Sequence, residues 1–278
     1  MKKYSLFTFI VFISLGFNFI GSEAGRYPVD ETIEFKNGEK YKYVISYAFW
    51  DAGEATIQLD KELAMVNDRP CYNVTVDGIT TGIFGMTTIV KDKWQTFIDT
   101  AEIHPLKFYR DIKENSYTLK ETTIFDHERK KATVEGNKKG KPYSGEYDIA
   151  KSSQDLISGY YYLRTLEYEN FSKGDTIVMD AFFEDEAYEF KILYLGKEKV
   201  FSNFGRIESH IFSPIMPENA LFRGVHPIKF WMTDDQYKVP IKVNAALIIG
   251  DVEINLVDYK KVYPEKLGKH KKKKKKKS

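Results

Sequence analysis

The chain has 278 residues, with 42 Lys plus Arg against 40 Asp plus Glu, and a single cysteine among 20 Phe, 19 Tyr and 3 Trp. The lone Cys71 excludes an intrachain disulfide, so the fold must rest on burial and strand pairing. Nine lysines from Lys266 onward and two near the start hold the basicity; the body 25–265 carries 31 basic against 39 acidic groups, a net charge of −8, which excludes nucleic acid as a natural partner.

Residues 1–24 read as an export signal. Lys2 and Lys3 form a positive start, residues 6–20 are apolar, and Ser22 and Ala24 place small side chains at a cleavage site before Gly25. The apolar run is shorter than the ~20 residues of a spanning helix, which favours cleavage over anchoring. The mature protein is expected in a periplasm-like or extracellular space.

In the body, period-2 alternation dominates. Tyr41, Tyr43, Ile45 and Tyr47 alternate through 40–49, Asp51-Ala52-Gly53 turns the chain into 55–59, and Asn67-Asp68 makes the next turn. Cys71 follows in an alternating apolar stretch, the setting of a buried, inert thiol. Further strands are predicted over 87–98, 106–111, 116–125 and 131–135, with a polar turn at 137–141. The loop 78–86 is apolar where a turn should be polar. Ile83, Phe84 and Met86, beside Gly82 and Gly85, read either as a loop tucked over the sheet end or as a flap on an apolar cavity.

Residues 152–166 give the one clear helix signal. Ser152 and Asp155 have capping-box spacing, and Leu156, Tyr160, Leu163 and Leu166 recur on one face. Gly159 shares that face at a cost of about 1 kcal/mol relative to Ala, tolerable if another backbone approaches there. Strands resume over 176–183, 187–195, 206–212, 228–233, 239–249 and 252–259. Pro240 therefore marks an edge, a strand start or a bulge. The fold class is mainly β: a large curved antiparallel sheet or unclosed barrel wrapped around one principal helix, possible as two lobes on either side of it.

Chemistry is harder to find. The chain has no G-x-S-x-G, H-E-x-x-H, P-loop or dinucleotide fingerprint. Glu208-x-His210 and His127-Glu128 are the nearest approaches to a ligand pair, and both read better as surface carboxylates beside hydrogen-bonded histidines. Glu184-Asp185-Glu186 reads as a solvated hairpin tip. No catalytic residue, metal ligand or cofactor is assigned. Paired carboxylates acting on an envelope polysaccharide stay open as an alternative, because such a pair is spatial.

Several stretches carry a resemblance. GEKYKYVISYAFWDAGEATIQL, TTGIFGMTTIVKDKWQTFID, HPLKFYRDIKE, DLISGYYYLRTL and FWMTDDQYKVPIKVNAALIIGDVEINLVDYK resemble, in order, the DUF3108 family of exported bacterial proteins. The resemblance implies a Gram-negative periplasmic β-protein and no reaction. The architecture is also similar to the LolA/LolB and RseB-like unclosed barrels, an analogy of fold alone. Together these point to a non-catalytic carrier of an apolar or amphipathic envelope ligand (lipid, acyl chain or glycolipid), with a structural partner in an envelope complex as a further alternative. The candidate pocket residues are Ile83, Phe84, Met86, Trp94, Phe97, Tyr160, Tyr161 and Trp231.

Outside the body, the lysines from Lys271 to Lys277 repel one another and read as a disordered tail for an anionic membrane or glycan surface. Each lysine near such a surface contributes ~1 kcal/mol. A truncation ending at Glu265 is expected to keep its melting temperature and lose low-salt binding to anionic vesicles. Undiminished binding after truncation would refute this role.

Overall fold

The computed structural model describes residues 35–216 and 222–262. The signal, its cleavage point and the lysine tail lie outside the described residues. One antiparallel meander contains β1 (Lys40–Tyr47), β2 (Trp50–Leu59), β3 (Ala64–Val66), β4 (Arg69–Thr80), β5 (Lys91–Asp99), β6 (Pro105–Glu114), β7 (Tyr117–Asp126), β8 (Lys131–Lys138) and β9 (Lys141–Asp148). A second contains β10 (Thr176–Phe183), β11 (Glu186–Ser202), β12 (Gly205–Pro214), β13 (Ile228–Thr233), β14 (Pro240–Ala246) and β15 (Asp251–Lys260). The first and last strands join them, β1 lying between β2 and β15. All belong to one sheet whose edges, β9 and β10, do not pair, so the barrel stays unclosed.

The local chemistry of the turns is visible in the backbone. Asn67 and Asp68 both take positive φ, as a two-residue hairpin turn between β3 and β4 requires. Glu184 and Asp185 do the same between β10 and β11, although Glu184 also lies 3.7 Å from Arg110 and is no purely solvated tip. Pro240 opens β14 opposite a register shift at Trp231 and Met232, where it interrupts no ladder. β9 has no buried residue and lies beyond the expected turn at 137–141, where no strand was predicted. Its aromatic positions, Tyr143 and Tyr147, are the signal for it. Tyr143 crosses Gly136, where a Cβ would collide with its ring, and donates a hydrogen bond to Glu121.

Among the described residues two α-helices stand outside the strands. The short α1 (Gly82–Thr87) occupies the apolar stretch between β4 and β5. The principal helix, α2 (Leu156–Arg164), lies between β9 and β10 in sequence. It starts later than its sequence suggests. Lys151 and Ser152 form a turn, and Gln154 pairs with edge strand β10: its N–H donates to Asp180 O (2.8 Å) and its carbonyl accepts from Phe182 N–H (2.9 Å). Asp155 is therefore the N-cap and Ser158 completes the capping box, in place of Ser152 and Asp155. At the other end, the buried Lys238 donates to Leu166 O (2.5 Å), a cation where the helix dipole favours one.

α2 divides the interior. Ile157 and Tyr161 pack with Trp94, Ile98, Phe108 and Phe182 in one core, while Leu163 and Leu166 pack with Tyr168, Ile192, Phe212 and Met232 in another. Cys71 is buried. Burial pushes its thiol up to about 11, so it stays protonated and unreactive near neutral pH.

Candidate functional site

The face of α2 carrying Leu156, Gly159, Tyr160 and Leu163 does not press flat on the sheet. It forms one wall of a cavity of about 350 Å³. The i, i+3, i+4, i+7 spacing puts these residues in line, and Gly159 leaves a groove where a Cβ would approach Met179 Cε to 3.1 Å. It is thus a side chain, not a second backbone, that uses the space at Gly159. The opposite walls are Met179, Ala181 and Phe183 of β10, Tyr188, Phe190 and Ile192 of β11, and Phe230, Met232, Pro240 and Val243 of β13 and β14. Every lining side chain is apolar or aromatic except Asp155.

Asp155 stands at the head of the helix with both oxygens engaged. Oδ1 accepts from the N–H of Ile157 (2.7 Å) and Ser158 (2.9 Å), and Oδ2 from Thr96 Oγ1 (2.5 Å). Burial still dominates those bonds and pushes its carboxyl up to about 6. The folded chain thus holds this proton more tightly than the unfolded chain, so its contribution is greatest at low pH and is lost as pH rises through about 6. His104 and His127 act in the opposite sense. Their rings stack at 3.7 Å and burial lowers both pKa values, that of His104 to about 4, so they favour the fold as pH rises. Comparison with Asp155→Asn isolates the carboxyl. Wild-type stability relative to that variant should fall between pH 4 and pH 7 in chemical denaturation. A constant difference would place the titration elsewhere.

Of the eight residues expected from sequence, Tyr160 lines this cavity and the other seven do not. Tyr161 is buried beneath the helix and donates to Glu39 Oε1 (2.9 Å). Trp94 belongs to the first core, and Phe97 lies beneath Lys107 Nζ at 5.8 Å. Trp231 donates to Glu198 Oε1 (2.7 Å) and pairs with Lys242, whereas its neighbours Phe230 and Met232 line the cavity. Alternation makes that one-residue difference a difference of sheet face. Phe84 packs edge-on to Tyr47 at 6.2 Å, and Ile83 and Met86 face outward from α1. Phe84→Ser is therefore expected to leave occupancy of the cavity unchanged.

The missed wall residues Met179 and Ala181 alternate within β10, as Phe230 and Met232 do within β13. That local signal marks a face without saying whether the face is packed or hollow. Leu156 was read as core, yet it is partly exposed and lines the void.

The remaining polar groups form closed structural units. His210 is buried between Tyr194 Oη (3.0 Å) and Asp234 Oδ1 (2.8 Å), while Glu208 turns to Lys199 (3.1 Å), so the two do not converge on an ion. No group of three or more His, Cys, Asp or Glu suited to a metal occurs among the described residues. Asp92 hydrogen-bonds Glu114, and both are buried. Burial pushes Asp92 up to about 6. No helix among the described residues is long and apolar enough to cross a membrane.

The fold has structural relatives. A β-barrel-like protein of the DUF1849 domain of unknown function from Brucella abortus aligns with a TM-score of 0.55 at 10% identity, covering 82% of this chain and 98% of that one. A crystal structure from Parabacteroides distasonis ATCC 8503, described provisionally as a lipoprotein, covers 84% of this chain and 99% of its own at 10% identity, with a TM-score of 0.32. The first supports the barrel-like fold; the second is too distant to support more. No curated protein matches. The sequence profile of DUF3108, a family of proteins of unknown function, matches residues 42–257, nearly the whole described sheet. The chain belongs to the DUF3108 family.

Proposed function

We propose that the protein is an exported, non-catalytic binder that holds the apolar part of an envelope lipid or glycolipid between α2 and strands β10–β14. The observation that carries this reading is the cavity. Its volume of about 350 Å³ falls within the roughly 300–1,000 Å³ range of small-molecule pockets, and its walls are apolar on all sides but one. The walls of this half-open pocket leave apolar lining atoms without protein partners. A chain of methylenes supplies them without bringing any polar group that needs pairing.

The test uses purified protein and a fluorescent fatty acid. Ala181→Phe fills the space between β10 and Gly159 and is expected to lower probe affinity by about tenfold or more, the cost of excluding two or more buried methylenes. Its melting temperature should be held or raised. Native mass spectrometry should find a co-purifying lipid in wild type and less of it in the variant. Unchanged probe binding in a folded Ala181→Phe protein would overturn the proposal. The periplasm is the compartment in which such a carrier acts. The tail from Lys271 to Lys277 then serves to keep it near anionic envelope surfaces.

A further inference from the structure

The sheet has two unlike ends. One carries the β1–β2 and β14–β15 turns, helix α1 and the approach to β13. Phe49, Met86 and Val225 there are each more than four-fifths exposed, and Trp50, Ile83 and Ile249 more than half. Turns of this kind are ordinarily polar. Six exposed large apolar side chains at one end are unusual, because monomers rarely expose contiguous apolar patches larger than a few hundred Å².

The rim is also held in place. Tyr47 Oη donates to the carbonyl of Ile249 (2.7 Å), and Ala48 N–H to that of Asp251 (2.9 Å). Thr81 N–H donates to the carbonyl of Ala52 (3.0 Å), tying α1 to the β2 end. Gly250 has φ +75°, and a Cβ there would meet the Tyr47 ring at 3.1 Å, so the turn closes tightly on that ring. The apolar tips are thus displayed by fixed turns.

We infer that this rim docks into the interfacial layer of a phospholipid bilayer. The described chain begins and ends at the other end of the sheet. Phe35 and Val262, where the described chain begins and ends, flank the opposite ends of β1 and β15, about 25 Å away along an eight-residue strand. The tail beyond is lysine-rich and unsuited to covering apolar side chains. A protein partner burying this area would ordinarily form about one hydrogen bond per 100–200 Å². Among the six side chains only the Trp50 indole offers a donor. A bilayer needs no such pairing and no matching shape. Tryptophan suits the boundary itself, and the charged groups Asp51, Lys91 and the Arg223–Asp251 pair (2.6 Å) stand beside the apolar tips as its polar border. The cavity residues Phe183 and Pro214 close their strands at this same end, which gives a bound lipid a short route to the bilayer; this point alone rests on the proposed binding function.

The experiment uses purified protein and neutral phosphatidylcholine vesicles at high salt, conditions that silence the lysine tail. Trp94 and Trp231 are buried, so Trp50 reports the rim. Its emission is expected to shift to the blue and to be quenched by brominated lipid. The triple variant Phe49→Ser, Met86→Ser, Ile249→Ser should lose about tenfold or more in vesicle partition with an unchanged melting temperature. Phe201→Ser, which removes an exposed aromatic at the opposite end, should bind like wild type. Absence of wild-type binding, or equal binding by the triple variant, overturns the inference. So does a dimer in sedimentation that the triple variant abolishes, since the rim would then belong to a second copy. Failure of Ala181→Phe to affect the fatty-acid probe leaves these readouts untouched, so the two proposals fall separately.

Discussion

Arg164→Met is expected to destabilise the fold by about 3–5 kcal/mol, because it strands a buried carboxylate. Glu39 is completely buried and Arg164 nearly so. The guanidinium donates to Glu39 Oε1 (2.5 Å) and Oε2 (3.2 Å) and through Nε to the Tyr237 carbonyl (3.0 Å), while Tyr161 supplies another hydrogen bond to the carboxylate. Phe35 and Tyr161 rings lie 4.8 and 5.1 Å from the guanidinium carbon, excluding water from the pair. These contacts join the end of α2 to the segment before β1 and to the β13–β14 connection. Urea denaturation should show the loss as a lower midpoint. The double variant Glu39→Leu, Arg164→Met should recover much of it, because removing both charges leaves neither unpaired. A single-variant loss below about 1 kcal/mol would mean that water reaches the pair.

Phe212→Ala is expected to cost about 3–5 kcal/mol and also to change the cavity. Phe212 is completely buried, with Tyr168 at 5.0 Å, Tyr194 at 5.3 Å and Phe230 stacked at 5.4 Å. Phe230 is a wall of the cavity, so truncating the ring behind it lets the wall retreat. Denaturation measures the first effect. A fatty-acid series measures the second, with the preferred chain length moving upward. A large stability loss with an unchanged length preference would show that Phe230 is held from elsewhere.

The strands were legible because their faces differ in polarity at every second residue, as Tyr41, Tyr43 and Ile45 do in β1. The helix was legible from Leu156, Tyr160 and Leu163, but its first residue was not. Gln154 is taken by the edge of β10, a tertiary contact that overrides the Ser152 cap. The cavity was half legible. The helix face that forms it was correctly drawn, yet periodicity cannot distinguish a packed face from a hollow one. Trp231 attracted attention by size, whereas register turns Phe230 and Met232 inward. β9 escaped because it buries nothing, and the β1–β15 pairing because no local pattern records a partner about 200 residues away.

That pairing also governs how the molecule is made. Lys40 meets Lys260 and Tyr47 meets Val252, so the central ladder closes only when almost the entire polypeptide is present. A nascent chain that stops short of Asp251 leaves one side of β1 and one side of β14 without a neighbour. Bringing such distant partners together carries a high loop-closure entropy, which places refolding among the slow, high-contact-order cases of milliseconds to seconds. Until then the two half-sheets expose edges that can pair with other chains, and low protein concentration should favour recovery of the monomer.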